Sequence, residues 1–236
     1  MQFAKYGRIL YIGHLDVMRY FQKALRRADV DMVFTKGFSP HPILSFAAPL
    51  GVGIESNAEY ADLEVYQSGS TEEMVARLNA VMVPGMEIID WRLLPDDAPN
   101  AMSSVAAADY CLTFREGQEP EDMEAYLDGL EKFLQSESIV IEKKTKKGTR
   151  MVDIRPLVYD YQIDRGEEPA IFMQVSTGSV DNLKPEFVLQ AYHDAAGLPY
   201  KESQLFISRL ETYTNLAGEN EPLRLVPLRE IGTVLP

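Results

Sequence analysis

A chain of 236 residues, 46% hydrophobic and 10% aromatic, is long enough to bury a sizeable core, as one domain or as two of roughly 100 residues. Its formal net charge of −13 argues against a protein that coats nucleic acid nonspecifically, and its single Cys111 excludes an internal disulfide and a cysteine-ligated zinc or iron–sulfur centre. No apolar run approaches the roughly 20 residues of a membrane span, and Met1-Gln2-Phe3-Ala4-Lys5-Tyr6 lacks a secretory pattern, so a cytoplasmic protein with no membrane partner and no cofactor of its own is expected.

The first half reads strand, helix, strand, strand, helix, strand. A strand is predicted over 2–12 and a helix over 14–29, where Val17, Phe21, Ala24, Leu25 and Ala28 recur on one face. A second strand near 31–35 leads into a proline-rich loop; Ile43, Leu44, Phe46 and Ala47 extend the sheet, and residues 60–66 alternate as a half-buried strand does. Ser70-Thr71-Glu72-Glu73 is a capping-box pattern for the next helix, whose core face is Met74, Val75, Leu78, Val81 and Met82. Pro84-Gly85 ends it, and 86–91 supplies the last strand.

Residues 95–104 read as a linker, after which the same order recurs. A strand over 105–114, which holds Cys111 as a structural thiol, precedes a helix over 120–136 with Pro120 at its first position. Strands follow at 138–144, 151–163 and 170–176, the first two joined by a turn at Lys146-Lys147-Gly148-Thr149. A helix from Pro185 and a strand over 204–214 complete the set. The expected class is α+β, with two tandem ferredoxin-like (β-α-β-β-α-β) units over 1–95 and 104–236.

Positive charge is concentrated in two islands. Residues 1–54 carry seven Lys or Arg against Asp16, Asp29 and Asp31; residues 143–155 carry Lys143, Lys144, Lys146, Lys147, Arg150 and Arg155 against Asp153. In the first island Arg19, Lys23, Arg26 and Arg27 share one side of the predicted helix, either as a solvated face or as a phosphate-binding one. The second island makes the binding reading stronger, because basic hairpins grip phosphates. No aromatic strand signature of an RNA-recognition motif accompanies them.

Two histidines stand in site-like positions. His14 and Asp16 open the predicted helix, where a carboxylate is favoured by the dipole whether or not it has a function. His41, between Pro40 and Pro42, sits in a stiffened loop that presents its ring at reduced entropic cost, with Lys36 nearby in sequence. Glu59 and Asp62 add carboxylates, but the spacing of His14, His41, Glu59 and Asp62 matches no metal signature, and no metal is expected. Phosphate-binding, dinucleotide and nucleophile-elbow motifs are absent.

Gly13-His14-Leu15-Asp16 with Arg19, Lys36-Gly37-Phe38-Ser39-Pro40-His41-Pro42, Phe46-Ala47-Ala48-Pro49-Leu50, Gly53-Ile54-Glu55-Ser56 and Glu59-Tyr60-Ala61-Asp62, in that order, resemble the bacterial radical-SAM-linked protein family. Val152-Asp153-Ile154-Arg155-Pro156-Leu157 and Gly178-Ser179-Val180-Asp181-Asn182-Leu183-Lys184-Pro185-Glu186 look like its later motifs. The resemblance implies a radical SAM protein as partner, and a setting in RNA or ribosome biology. It implies no established reaction.

The leading expectation is a noncatalytic accessory protein that binds RNA, or an RNA-bearing substrate, for a radical SAM enzyme in RNA modification or ribosome maturation. Arg19, Lys23, Lys143, Lys144, Lys146, Lys147, Arg150 and Arg155 would hold phosphates; His14, Asp16, Lys36, His41, Glu59 and Asp62 would line the site. An alternative is an RNA-processing or RNA-modifying enzyme using His14 or His41 as general acid or base. A third is a protein-interaction scaffold without RNA contact, whose acidic surface docks a basic partner such as a ribosomal component. If 36–62 forms a site, its loop should bring His41 near His14 and Asp16.

Overall fold

Gly7 and a buried lysine decide how the chain begins. In the computed structural model, which describes all residues except Lys146, Lys147, Ser179, Val180, Glu219 and Asn220, strand β1 (Gln2–Lys5) stops far short of the predicted residue 12. Lys5 is buried, and its ammonium donates to the carbonyls of Leu10 (2.9 Å) and Ile12 (3.1 Å). These bonds fold residues 7–11 into a 3-10 turn, which Gly7 enters with φ 65°.

The chain continues through α1 (His14–Arg27), β2 (Leu44–Phe46), β3 (Glu55–Leu63), α2 (Thr71–Asn79), β4 (Met86–Asp90), β5 (Arg92–Leu93), α3 (Ala101–Ser104) and β6 (Val105–Phe114). It then forms α4 (Met123–Leu134), β7 (Val140–Thr145), β8 (Gly148–Asp153), β9 (Val158–Asp164), β10 (Ala170–Ser176), α5 (Pro185–Ala196), β11 (Leu205–Asn215), β12 (Leu225–Pro227) and β13 (Thr233–Val234). This is a mixed α+β chain. It divides into two compact units, one of Met1–Ala107 with Ser208–Pro236, the other of Ala108–Ile207, so the C-terminal segment groups with the first unit.

In the first unit β1 lies between antiparallel neighbours, β3 through Gln2–Tyr60 and Phe3–Glu59, and β4 through Phe3–Ile88 and Ala4–Glu87. Strand β2 pairs the later half of β3 through Phe46–Ala61, while β11 runs parallel to its start through Ser208–Glu55 and Arg209–Ser56. Phe3, Phe21 and Phe46 meet at centroid separations of 4.7 to 5.8 Å, and Leu25, Met74, Leu78 and Ile88 close the core around them. Each such side chain stabilises the fold by about 1.5–3 kcal/mol on burial. A smaller cluster of Ala58, Tyr60, Ala101, Val105 and Leu228 lies apart from it.

Several predicted elements shrink. Helix α1 ends at Arg27 rather than 29, because Ala28 caps it and Asp29 adopts φ 52°. The strand expected near 31–35 is reduced to two isolated bridges, Met32–Val65 and Phe34–Pro42. Helix α2 opens as its sequence directs, with the Ser70 hydroxyl accepting from the Glu73 amide at 3.1 Å. The segment 95–104 is no loose linker: Asn100 caps α3, Ala101 is buried, and the Ala101 amide donates to Asp62 Oδ2 at 2.8 Å.

In the second unit β6 has β10 and β11 as neighbours, and β9 pairs β10 through Ile163–Ile171 and Tyr161–Met173. Helix α4 starts at Met123, three residues after Pro120, because Asp122 accepts from the Ala125 amide and fixes the cap there. Tyr192 of α5 packs against Tyr126 and Phe133 of α4, and its hydroxyl donates to the Tyr126 carbonyl at 2.9 Å. Gly129 permits that approach, since a Cβ there would press on the Tyr192 hydroxyl. Cys111 is half-buried in β6, and burial pushes its thiol pKa up.

Candidate functional site

The two candidate histidines occupy separate settings. Gly13 caps α1 without a side chain, its carbonyl taking the amides of Asp16 and Val17. The His14 ring stands edge-on to Phe46 at 5.2 Å, and burial lowers its pKa. Asp16, exposed in the first turn, pairs with exposed Arg19 at 3.2 Å. His41 is engaged with its own loop: Nδ1 lies 3.2 Å from both the Thr35 hydroxyl and the Ser39 carbonyl, and its amide donates to Thr35 Oγ1. Lys36 is exposed on that loop and Phe38 is wholly so. Among the described residues no hydrogen bond, ion pair or ring contact joins His41 to His14 or Asp16, and no cluster suited to a metal ion occurs.

Glu59 and Asp62 are held elsewhere. Buried Glu59 receives Arg209 Nη1 at 2.9 and 3.2 Å, and the same nitrogen donates to the Ala48 carbonyl at 3.0 Å. Burial raises the Glu59 pKa, opposed by Arg209 and more weakly by Lys5. Asp62 accepts from Ala101. Both carboxylates thus tie strands and covering segments together within the first unit.

The basic hairpin is the best-formed of the expected features. In β7 and β8, Lys143 is the cross-strand partner of Arg150 and Lys144 of Thr149, whereas Lys146 and Lys147 lie outside the described residues. Opposed like charges on a sheet destabilise it. Lys143 is half-buried and Arg150 exposed, and neither has a carboxylate partner among the described residues. At the hairpin base Asp153 accepts the amides of Ile139 and Arg155, which lower its pKa, and Arg155 Nη1 donates to the Val158 carbonyl at 2.8 Å. Arg155 therefore braces the hairpin as much as it adds charge. On α1, Lys23 and Arg26 are exposed, while Arg27 donates to the Val81 carbonyl and lies over the Tyr20 ring.

Two features escaped sequence reasoning. His193 is buried on α5, with Nδ1 2.9 Å from the Pro199 carbonyl and Nε2 3.0 Å from the Tyr126 hydroxyl. A carbonyl only accepts, so Nδ1 carries the proton and Nε2 accepts from Tyr126. Burial pushes the Tyr126 hydroxyl pKa up, and burial also pushes up to about 12 the hydroxyl of Tyr200, whose ring stands edge-on to the same imidazole. These residues adjoin or line a cavity of about 730 Å³ bordered by Glu119, Lys201 and Gln204. The only hint in sequence is Tyr126 on the apolar face that Met123, Tyr126, Leu127, Leu130, Phe133 and Leu134 form along the predicted 120–136 helix. The second feature is a cavity of about 120 Å³ in the first unit, lined by Gln2, Tyr60, Asp62 and Arg229 among others.

Residues 1–185 match the profile of a family described as an uncharacterized protein conserved in bacteria (DUF2344). The chain belongs to that family. The matched stretch spans both histidine motifs and the basic hairpin. No curated protein matches the chain. Among solved structures it is similar to a chain of the "Crystal Structure of a Cbf5-Nop10-Gar1 Complex", at 12% identity and a TM-score of 0.44 over 89% of its length. It spans about half, 48%, of that chain. No helix among the described residues is long and apolar enough to cross a membrane.

Proposed function

We propose that this chain is a noncatalytic accessory protein that binds RNA, or an RNA-bearing substrate, for a radical SAM enzyme acting in RNA modification or ribosome maturation. The observation that carries the RNA part is the cross-strand pair Lys143–Arg150. Two cations held opposite one another repel, and an anion between them neutralises both. Lys144, and Lys146 and Lys147 in sequence, add charge to the same short stretch of an otherwise acidic chain. Such a protein grips phosphates at one place and is repelled elsewhere, which favours a local contact over coating.

Exposed Lys23 and Arg26 on α1 supply a second, weaker candidate contact. The tandem ferredoxin-like reading belongs here too: in the first unit the order β4-β1-β3 with β2 beside β3 supports it. The radical SAM partner rests on the ordered motif resemblance. Enzymatic use of His14 and His41 is the weaker reading, because the two rings have separate partners and no hydrogen bond among the described residues joins them.

Mobility shifts of the whole chain with cellular RNA at several salt concentrations test the proposal. Binding is expected at low salt, to fall steeply as salt rises, and to weaken on Lys143→Glu with Arg150→Glu. Absence of binding at low salt, or indifference to the double reversal, overturns it.

A further inference from the structure

Strand β7 leaves one edge open. Among the described residues its only strand partner is β8, and the Ile154 amide donates to the Ile139 carbonyl at 2.8 Å. By antiparallel alternation Ile141 and Lys143 also turn their backbone groups to β8, so Val140 and Glu142 point theirs away from the hairpin. On that side lies a groove of about 630 Å³ in the second unit. Consecutive residues 138–143 line it and no β8 residue does; a strand face would present alternate residues, so the run marks the free edge. The outer edge of β4 is treated differently. There the Asn79 side chain donates to the Ile88 carbonyl at 2.9 Å and accepts the Ile88 amide at 2.8 Å, which blocks the addition of a strand.

The opposite wall of the groove is helical. Phe187, Gln190, Ala191, Asp194 and Ala195 recur at the spacing of one stripe of α5, and Phe187 stays exposed. A strand edge facing a helix across a groove accepts an extended segment, whose main chain supplies affinity and whose alternate side chains supply specificity. The side chains of β7 set that specificity. Ile139, Ile141 and Lys143 share the more buried face, whereas Val140 and Glu142 are exposed on the other. Lys143 is opposed by Arg150 on its β8 side, so a carboxylate beside it on the open side would relieve the repulsion. Glu142 and Asp194 also border the groove, which disfavours further carboxylates.

We propose that this groove binds an extended peptide, which adds to β7 as an antiparallel strand with one carboxylate residue opposite Lys143 and apolar residues opposite Ile141 and Ile139. Antiparallel addition is the more stable pairing per residue. Lys143 is shared with the RNA reading; the free edge of β7 is not.

A capped peptide reading glutamate-threonine-valine-threonine-valine, titrated into the whole chain and followed by calorimetry and amide resonances, tests the proposal. Saturable binding that shifts the Val140 and Glu142 amides is expected. In the antiparallel register the two threonines meet Glu142 and Val140, so N-methylating either should weaken binding at least about tenfold. N-methylating the first valine, whose N–H points outward, should leave it nearly unchanged. Lysine in place of the glutamate should weaken binding, and Lys143→Glu in the chain should restore that peptide. Glu142→Pro removes an edge donor outside the β8 ladder and should weaken binding likewise. The N-methyl series uses the unaltered chain, and so decides the matter should either variant fail to fold. No binding, equal losses from all three N-methylations, or shifts at the Val140 and Glu142 amides with RNA but not with peptide, overturns the proposal. So does a dimer in sedimentation that Glu142→Pro dissolves, which would make a second copy of the chain the occupant.

Discussion

Lys143 and Arg150 are cross-strand partners near the tip of the β7–β8 hairpin, two cations in register where a stable ribbon favours opposite signs. Lys143→Glu should therefore act in two directions at once. A Glu–Arg pair replaces the repulsion and stabilises the hairpin by about 0.2–1 kcal/mol, while RNA affinity falls. Thermal denaturation and mobility shifts on the same variant separate the two effects. A hairpin with no anion to bind would show the gain in stability and no loss of affinity.

His14 gives a pH prediction. Burial against Phe46 lowers its pKa below 6.5, so the folded chain binds its proton less readily than the unfolded one. Its contribution is fully present above pH 6.5 and is lost as pH falls through the folded value. Histidine resonances should show His14 titrating below 6.5, and His14→Phe, which keeps a ring against Phe46, should flatten the stability profile in that window. A profile unchanged by the substitution would show that His14 is hydrated in the folded chain.

Sequence carried the local part of this fold and not the distant part. The apolar stripes of α1 and α4 and the Ser70 cap are set by neighbours within a few residues, and they read directly. The end of β1 did not, because periodicity does not anticipate a lysine whose ammonium is buried against the Leu10 and Ile12 carbonyls. The basic hairpin was legible as a run of charge, although Gly148 and Thr149, which read as turn, open β8 as paired strand residues. His193 was not, since its hydroxyl partner Tyr126 lies 67 residues away, and neither was the Gln2 cavity, whose walls come from both ends of the chain. Glu59 looked like a site residue because its partner Arg209 is 150 positions distant.

Gly85 tests the chain reversal between α2 and β4. Its φ is 94°, its carbonyl accepts from the Tyr6 amide at 2.8 Å, and a Cβ would press on the Tyr6 carbonyl oxygen. Gly85→Ala combines left-handed strain with a backbone clash and should cost about 1–3 kcal/mol in urea denaturation. Gly117, at φ 74° with open space around it, is the control. Gly117→Ala should cost less, because only the strain remains. Equal losses would mean that β4 shifts freely away from Tyr6.

The Arg209–Glu59 pair links β11 to β3 in a buried setting where charge is expensive unless matched. Arg209→Met leaves the Glu59 carboxylate without that cation and should cost about 3–5 kcal/mol near neutral pH. Glu59→Leu combined with Arg209→Met should recover most of the loss, because a buried pair replaced by apolar groups of similar size is often close to neutral. Burial already raises the Glu59 pKa, and removing Arg209 withdraws the main opposing influence, so the single variant's carboxyl is raised further. A folded-state pKa above the unfolded one means that the native chain gains protons preferentially, so stability returns as pH falls through the folded value. Urea denaturation at neutral and mildly acid pH should therefore show the gap between single and double variants closing on acidification. A gap that stays constant, or a double variant no more stable than Arg209→Met, would show that Arg209 acts through its packing and its bond to the Ala48 carbonyl instead of through the charge of Glu59.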